Sequence, residues 1–168
     1  MSLDLTKNGF WSPTVGSVTI GKMIAEIASF VEDEPNGYYR LVIGTDSQTK
    51  RNNTHYQIDF VTAIVVHRRG FGARYFWKKD KVMKKPVLRD KIYTETMKSL
   101  DTAQELVPSL RAAMNHSNYD LEIHIDVGQN GPTRDMIKEV VGMVTGSGYI
   151  AKTKPNSWGA SSVADKHT

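Results

Sequence analysis

Asp46, Glu95, Asp126 and Asp165 are acidic residues far apart in the chain, each in a different predicted element. Carboxylate oxygens are the ligands that Mg²⁺ and Mn²⁺ prefer. Two such ions about 3.5 to 4 Å apart stabilise both the attacking and the leaving oxygen of a phosphodiester. The set therefore predicts a site for two Mg²⁺ or Mn²⁺ ions with these four carboxylates as ligands. His167, two residues past Asp165, is a candidate proton shuttle or product-release group. Each residue also has a plainer reading. Asp46 and Asp126 suit turns at strand ends, and Glu95 suits a solvated helix face beside Lys91 or Lys98, with Asp90 and Glu105 as rivals. Asp165 suits the surface of a fraying terminal helix. Because a lone buried carboxylate is costly, convergence of the four is what separates a site from four surface acids.

The elements that must position them follow from hydrophobic pattern. Residues 19–32 place Ile20, Met23, Ile24, Ile27, Phe30 and Val31 at helical spacing, and Pro35 and Gly37 stop that helix. Residues 41–48 open with an apolar run and turn polar at Thr45, as expected of a strand buried on both faces whose far end reaches a site. KRNNT is a polar turn. Residues 55–67 and 74–79 form two further strands, giving an antiparallel meander. Pro86 opens a helix to about Met114 that Pro108 is expected to kink or divide. Leu121, Ile123, Ile125 and Val127 alternate with Glu122, His124 and Asp126, a strand that puts His124 and Asp126 on one face. His124 is there either a metal ligand or, more commonly, a structural hydrogen-bonder. GQNGPTRD turns into a helix to about Thr145, residues 149–153 form a last strand, and residues 160–166 a short terminal helix. Strands alternating with helices in the second half require right-handed parallel crossovers.

Between His67 and Lys91, ten Lys and Arg face two Asp, a surplus of eight in a chain of net charge +4, so the remainder carries −4. Phe71, Tyr75, Phe76 and Trp77 interleave with those cations. Cations neutralise phosphates and aromatic rings stack on bases. Arg68, Arg69, Arg74, Trp77, Lys78, Lys79, Lys84 and Lys85 are therefore candidate nucleic-acid contacts. The plainer reading makes the aromatics a strand's core face and the charges its solvated loop.

The chain's 168 residues, 39% hydrophobic and 24% charged, fit one domain able to bury a core. The absence of cysteine excludes disulfides and thiolate zinc sites. No apolar run approaches the roughly 20 residues that span a bilayer, and no signal-peptide pattern opens the chain. The expected location is the cytoplasm, with no membrane partner. A Walker phosphate loop, a G-x-S-x-G elbow and an H-E-x-x-H zinc motif are all missing from the sequence.

Four segments carry a family likeness: IGTDSQ at 43–48, IYTET at 92–96, IHIDVGQNGPTRD at 123–135 and KPNSWGASSVADKHT at 154–168. Together they resemble the RNase H-like superfamily, most nearly its YkuK-type branch, from about Leu41 onward. The resemblance implies an α/β three-layer fold: a five-stranded mixed sheet in order 3-2-1-4-5, strand 2 antiparallel, with helices on both faces. Residues 41–168 would form the core and residues 1–37 an N-terminal helical extension of a single domain. It also implies Asp46, Glu95, Asp126 and Asp165 as the acidic constellation, with Asp46 bridging both ions, and hydrolysis leaving 3′-hydroxyl and 5′-phosphate ends. His167 departs from the family pattern, in which the histidine precedes the last acid. The expected function is a metal-dependent nuclease acting on RNA, DNA or a hybrid. The alternatives are a non-catalytic nucleic-acid-binding or ribonucleoprotein-associated module on the same fold, and, from IDVGQNG alone, a nucleotide phosphatase or ATPase.

Overall fold

Thr19 ends an extended segment and turns its side chain back to accept from the Lys22 amide at 3.0 Å, satisfying one of the unpaired donors that open a helix. The helix it caps, α1 (Ile20–Glu32), buries Met23, Ile27, Phe30 and Val31 along one stripe. The computed structural model describes residues 8–114, 118–159 and 161–163. Ahead of α1, β1 (Asn8–Ser12) and β2 (Gly16–Thr19) form a hairpin whose turn ends on Gly16 at φ 82°, a backbone that suits glycine.

After α1 come β3 (Tyr38–Asn52), β4 (His55–Arg68) and β5 (Ala73–Val82), each antiparallel to the one before. The long helix α2 (Leu88–Ala113) follows, then β6 (Asn118–His124), a 3₁₀ turn at Arg134–Met136, α3 (Ile137–Gly146) and β7 (Ile150–Lys152). Residues 159 and 161–163 are helical.

The sheet has seven strands in order β2-β1-β5-β4-β3-β6-β7, in place of the expected five in order 3-2-1-4-5. The difference comes from residues 8–19. They were expected to belong to a helical extension outside the core, but they pair onto the edge of β5 through Trp11 opposite Trp77. Behind that hairpin, β4 runs antiparallel to both its neighbours, while β6 and β7 run parallel to β3.

Strand alternation sorts the side chains. Leu41 and Ile43 of β3, Ile64 and Val66 of β4, Phe76 of β5 and Ile123 of β6 point to one face and join one core cluster with α1, α2 and α3. The opposite face carries Val42, Ala63 and Val65, with Tyr75, Trp77, Trp158 and Val163 against them. Helices on both faces were expected. Among the described residues the long helices share one face, and the other is covered only by the short turn around 159–163.

Two further expectations change. Helix α2 runs unbroken through Pro108, because Leu106, Val107 and Leu110 are buried on either side of it and hold the turn that lacks a backbone donor. KRNNT is no separate turn. Pairing continues to Asn52 opposite His55, and only Asn53 (φ 49°) and Thr54 make the bend, asparagine being one of the few side chains that tolerate that backbone.

Candidate active site

β3 and β6 lie side by side in parallel register from Tyr38↔Asn118 to Gly44↔His124. The pairing stops two residues short of Asp46 and Asp126, so both acids sit where the two chains leave their shared ladder. In parallel strands about 4.8 Å apart, equivalent positions past the last pair remain neighbours. Parity places Asp46 on the sheet face opposite the long helices, while Asp126, past the end of β6, lines a cleft shared with α2.

Glu95 reaches the same place from α2. One helical turn further on, Ser99 Oγ lies 2.8 Å from Thr45 Oγ1, which in turn lies 3.1 Å from Thr62 Oγ1. This buried hydroxyl ladder pins α2 to the sheet at the residue before Asp46, and the i,i+4 spacing turns Glu95 toward the end of β3. Glu95 is 6% exposed, whereas its rivals Asp90 and Glu105 are exposed. Ser47 ties the two acids together: its amide donates to Asp46 Oδ1 at 2.9 Å and its hydroxyl to Glu95 Oε2 at 3.4 Å.

Thr45, Ile92, Glu95, Thr96, His124, Ile125 and Asp126 line one narrow cleft. Burial, then the charges of Asp46 and Asp126, push the Glu95 carboxyl up to about 9, against the weaker pull of Lys91 and the Ser47 bond. A buried acid feeling two like charges is the electrostatic signature of converging carboxylates. Lys154 adds a cation, its Nζ 3.0 Å from Asp126 Oδ1. Backbone bonds set it there: Ile125 N–H donates to Lys152 O and Lys154 N–H to Val127 O, extending the β6–β7 pairing past both strands. Gly128 makes room, since a Cβ there would lie 3.2 Å from Lys154 Cβ.

The sequence thus identified three residues that the fold brings together, Asp46, Glu95 and Asp126. Asp165 and His167 lie outside the described residues. Among the described residues, no group of three or more His, Asp or Glu side chains is set to hold a metal ion as it stands. In type, the all-oxygen donor set of Asp46, Glu95 and Asp126 fits a hard divalent cation.

His124 has both ring nitrogens engaged. Nδ1 accepts from Gly159 N–H at 3.0 Å, which leaves Nε2 as the protonated donor to Glu122 Oε1 at 3.0 Å. Burial lowers its pKa, outweighing the Glu122 contact. It is a neutral structural histidine with no lone pair left for a metal. Glu122, 4% exposed, also lies 3.2 Å from Arg40 Nε. Trp158 stands edge-on to the His124 ring at 5.2 Å.

The basic candidates divide by face. Arg68 donates to the Phe30 carbonyl and, through Nε, to the Tyr39 hydroxyl at 3.1 Å, and lies 4.2 Å over the Phe30 ring. Arg74 lies 4.7 Å over that same ring. Both are on the helical face, away from Asp46, so their guanidiniums cover α1 rather than front the acidic cleft. Lys78 points the same way, 5.6 Å from the Phe10 ring centre. Trp77 and Lys79 project on the face of Asp46, and Lys84 pairs with Asp90 at 3.4 Å. Lys85 is exposed, and Arg69 lies at the far end of the sheet, past β4. Asp59, which sequence reasoning passed over, is fully buried 2.8 Å from Lys50 and 3.6 Å from Lys79. Ser47, Lys154 and Glu122 were also missed, and of these only Glu122 carried a signal, as a polar residue alternating within an apolar strand; His124 follows its plainer reading as a structural hydrogen-bonder.

The family described as Ribonuclease H-like matches residues 22–168. The chain is 34% identical over 170 aligned positions to the Bacillus subtilis (strain 168) protein described as "Uncharacterized protein YkuK", covering 95% of this chain and 96% of that one. No solved structure matches the chain significantly.

Proposed function

The chain belongs to the ribonuclease H-like family, and from that premise we propose that it is a metal-dependent nuclease hydrolysing phosphodiester bonds of RNA or DNA. The observation that carries this reading is the buried Glu95 carboxyl, raised to about 9 with the charges of Asp46 and Asp126 among its causes. Burial is the larger cause and the two charges the next, so a divalent cation entering the cleft would favour ionisation of this carboxyl. Asp46, Glu95 and Asp126 would hold the ions, with Asp165 proposed as the fourth acid and His167 as the proton-handling group. Bound Mg²⁺ or Mn²⁺ supplies charge stabilisation to the attacking and leaving oxygens. Ser47 holds Asp46 and Glu95 in fixed relation, and Lys154 balances Asp126.

Trp77 and Lys79, on the face of Asp46, and Lys84 and Lys85 beyond β5 are the proposed nucleic-acid contacts near the cleft. We take residues 1–168 as one domain, the hairpin being part of its sheet, and place the protein in the cytoplasm. No helix among the described residues is long and apolar enough to cross a membrane.

The test is incubation of the purified protein with labelled RNA, DNA and hybrid substrates in Mg²⁺ or Mn²⁺. Cleavage leaving 3′-hydroxyl and 5′-phosphate ends, lost in Asp46→Asn and Asp126→Asn, supports the proposal; activity unchanged in both variants removes the site. A second reading, a nucleic-acid-binding module without turnover, is favoured by one observation. Lys154 already neutralises Asp126 as a cation would. It predicts salt-sensitive binding with no metal-dependent cleavage.

A further inference from the structure

At the opposite end of β3 from Asp46, Tyr38, Arg40, His67 and Arg69 line a cavity of about 260 Å³. Its walls come from fixed register: Arg40 sits directly across from His67 in the β3–β4 ladder, and the Arg69 amide donates to the Tyr38 carbonyl at 3.0 Å. Arg40, His67 and Arg69 bring N–H groups to the lining, the Tyr38 hydroxyl being committed to Asp120, and the two arginines are permanently cationic. The volume falls just below that of pockets for drug-sized ligands, about 300 to 1,000 Å³, and suits a small polar group.

Two acids stand behind the wall, and both are already engaged. The Tyr38 hydroxyl donates to Asp120, and Arg40 Nε faces Glu122 Oε2 at 3.2 Å. Glu122 is gripped by His124, and His124 by the Gly159 amide. Arg40 Nε is thus an ion-pair neighbour of Glu122 but makes no hydrogen bond, and the guanidinium belongs to the cavity lining. A planar guanidinium suits forked hydrogen bonding to a phosphate. Strand parity sets the cavity on the face of Asp46. Arg40 precedes Asp46 by six residues of β3, about 20 Å at ~3.3 Å per residue.

We propose that this cavity is a phosphate-binding pocket, taking one phosphate group of a nucleic-acid strand remote from the acidic cleft. Its identity as a strand phosphate rests on the nuclease reading; its affinity for phosphate does not. About 20 Å corresponds to roughly six nucleotides at the ~3.4 Å rise of a duplex strand. The pocket would thus set the position of a strand relative to the cleft without touching the bond that is cut.

The experiment is a ¹H–¹⁵N NMR titration of the full chain in EDTA, first with inorganic phosphate, then with a 5′-phosphorylated single-stranded oligonucleotide. Saturable phosphate-induced shifts at Tyr38, Arg40, His67 and Arg69, with affinity lowered about fivefold or more in Arg69→Ala, are the expected result. Arg40→Lys keeps the charge and loses the fork, and is expected to weaken binding likewise. Displacement of phosphate by the oligonucleotide assigns the pocket to the strand. Saturation without displacement retains the pocket and gives it to a small phosphate ester instead. Absence of shifts, or shifts of equal affinity in both folded variants, overturns the proposal. Because EDTA silences cleavage, a protein with no nuclease activity can still pass this test, and an active nuclease can still fail it.

Discussion

Lys154 holds its ammonium 3.0 Å from Asp126 Oδ1, so the chain supplies its own counterion to the acidic cleft. A divalent cation entering there must compete with that ammonium for the same carboxylate. Lys154 is 56% exposed, so the pair is screened and its worth is on the order of 1 kcal/mol. Lys154→Met is therefore expected to tighten Mn²⁺ binding about three- to tenfold, measured by calorimetry. Unchanged affinity would mean that Asp126 takes no part in holding metal.

The Glu95 carboxyl makes the metal-free protein sensitive to alkali. Its folded pKa, about 9, lies above the ordinary carboxyl value of 4.5, so folding favours the protonated form. That contribution is fully present below about pH 4.5 and is lost as the pH rises toward 9. In EDTA, Glu95→Gln, which cannot ionise, is expected to melt higher than the wild type at pH 8 and to match it near pH 4. Mn²⁺ should narrow or reverse the difference at pH 8, because the charged carboxylate then has a partner. Parallel melting curves at both pH values would show that Glu95 is not a buried acid under electrostatic strain.

The parts of this architecture legible in the sequence were those coded by local period. Leu121, Ile123 and Ile125 alternate into the core, and the apolar run from Leu41 turns polar at Thr45 where the site begins. The N-terminal hairpin was not legible: residues 8–19 are short, interrupted by Pro13, and acquire their role only when Trp11 meets Trp77, 66 positions on. Arg68 and Arg74 read as phosphate contacts because charge is visible in a sequence, whereas the Phe30 ring beneath them is not; long cationic stems often cover apolar surface. Asp46, Glu95 and Asp126 could be singled out from their positions in their elements, and Glu95 feels the charge of the other two. Lys154 and Ser47 were missed because their importance is purely one of proximity.

Asp59 presents a second test, on stability. Its carboxylate is fully buried on the open sheet face, 2.8 Å from Lys50 Nζ and 3.6 Å from Lys79 Nζ, with Gln57 Nε2 donating at 2.6 Å. Desolvation would raise its pKa, but the bonds from Lys50 and Gln57 and the charges of Lys50 and Lys79 outweigh it, and the net shift is downward. A lowered folded pKa contributes stability above the unfolded value near 3.8, lost as the pH falls through the folded one. Asp59→Asn removes the charge-assisted bonds and is expected to cost about 1 to 3 kcal/mol at pH 7 by urea unfolding. The deficit should shrink below pH 3. A variant as stable as the wild type at neutral pH would show that the lysines merely shield a tolerant site.

Gly159 packs closely against the sheet. A Cβ there would lie 2.5 Å from Val42 Cγ1, closer than real Cβ atoms approach, and 3.2 Å from His124 Nδ1, so Gly159→Ala must push the segment off β3. The shift would break the Gly159 N–H bond to His124 and leave Nδ1 buried without a donor. Overpacking of this kind costs about 1 to 3 kcal/mol. Val42→Ala in the same background removes the clashing methyl groups and is expected to restore part of the loss, a coupling that a double-mutant cycle reads directly. If Asp165 belongs to the site, the displaced segment should also weaken Mn²⁺ binding, and the second substitution should recover it in step with stability. Full stability in Gly159→Ala alone would mean that the segment has a second seat on the sheet and that its contact with His124 does not fix the position of the residues after it.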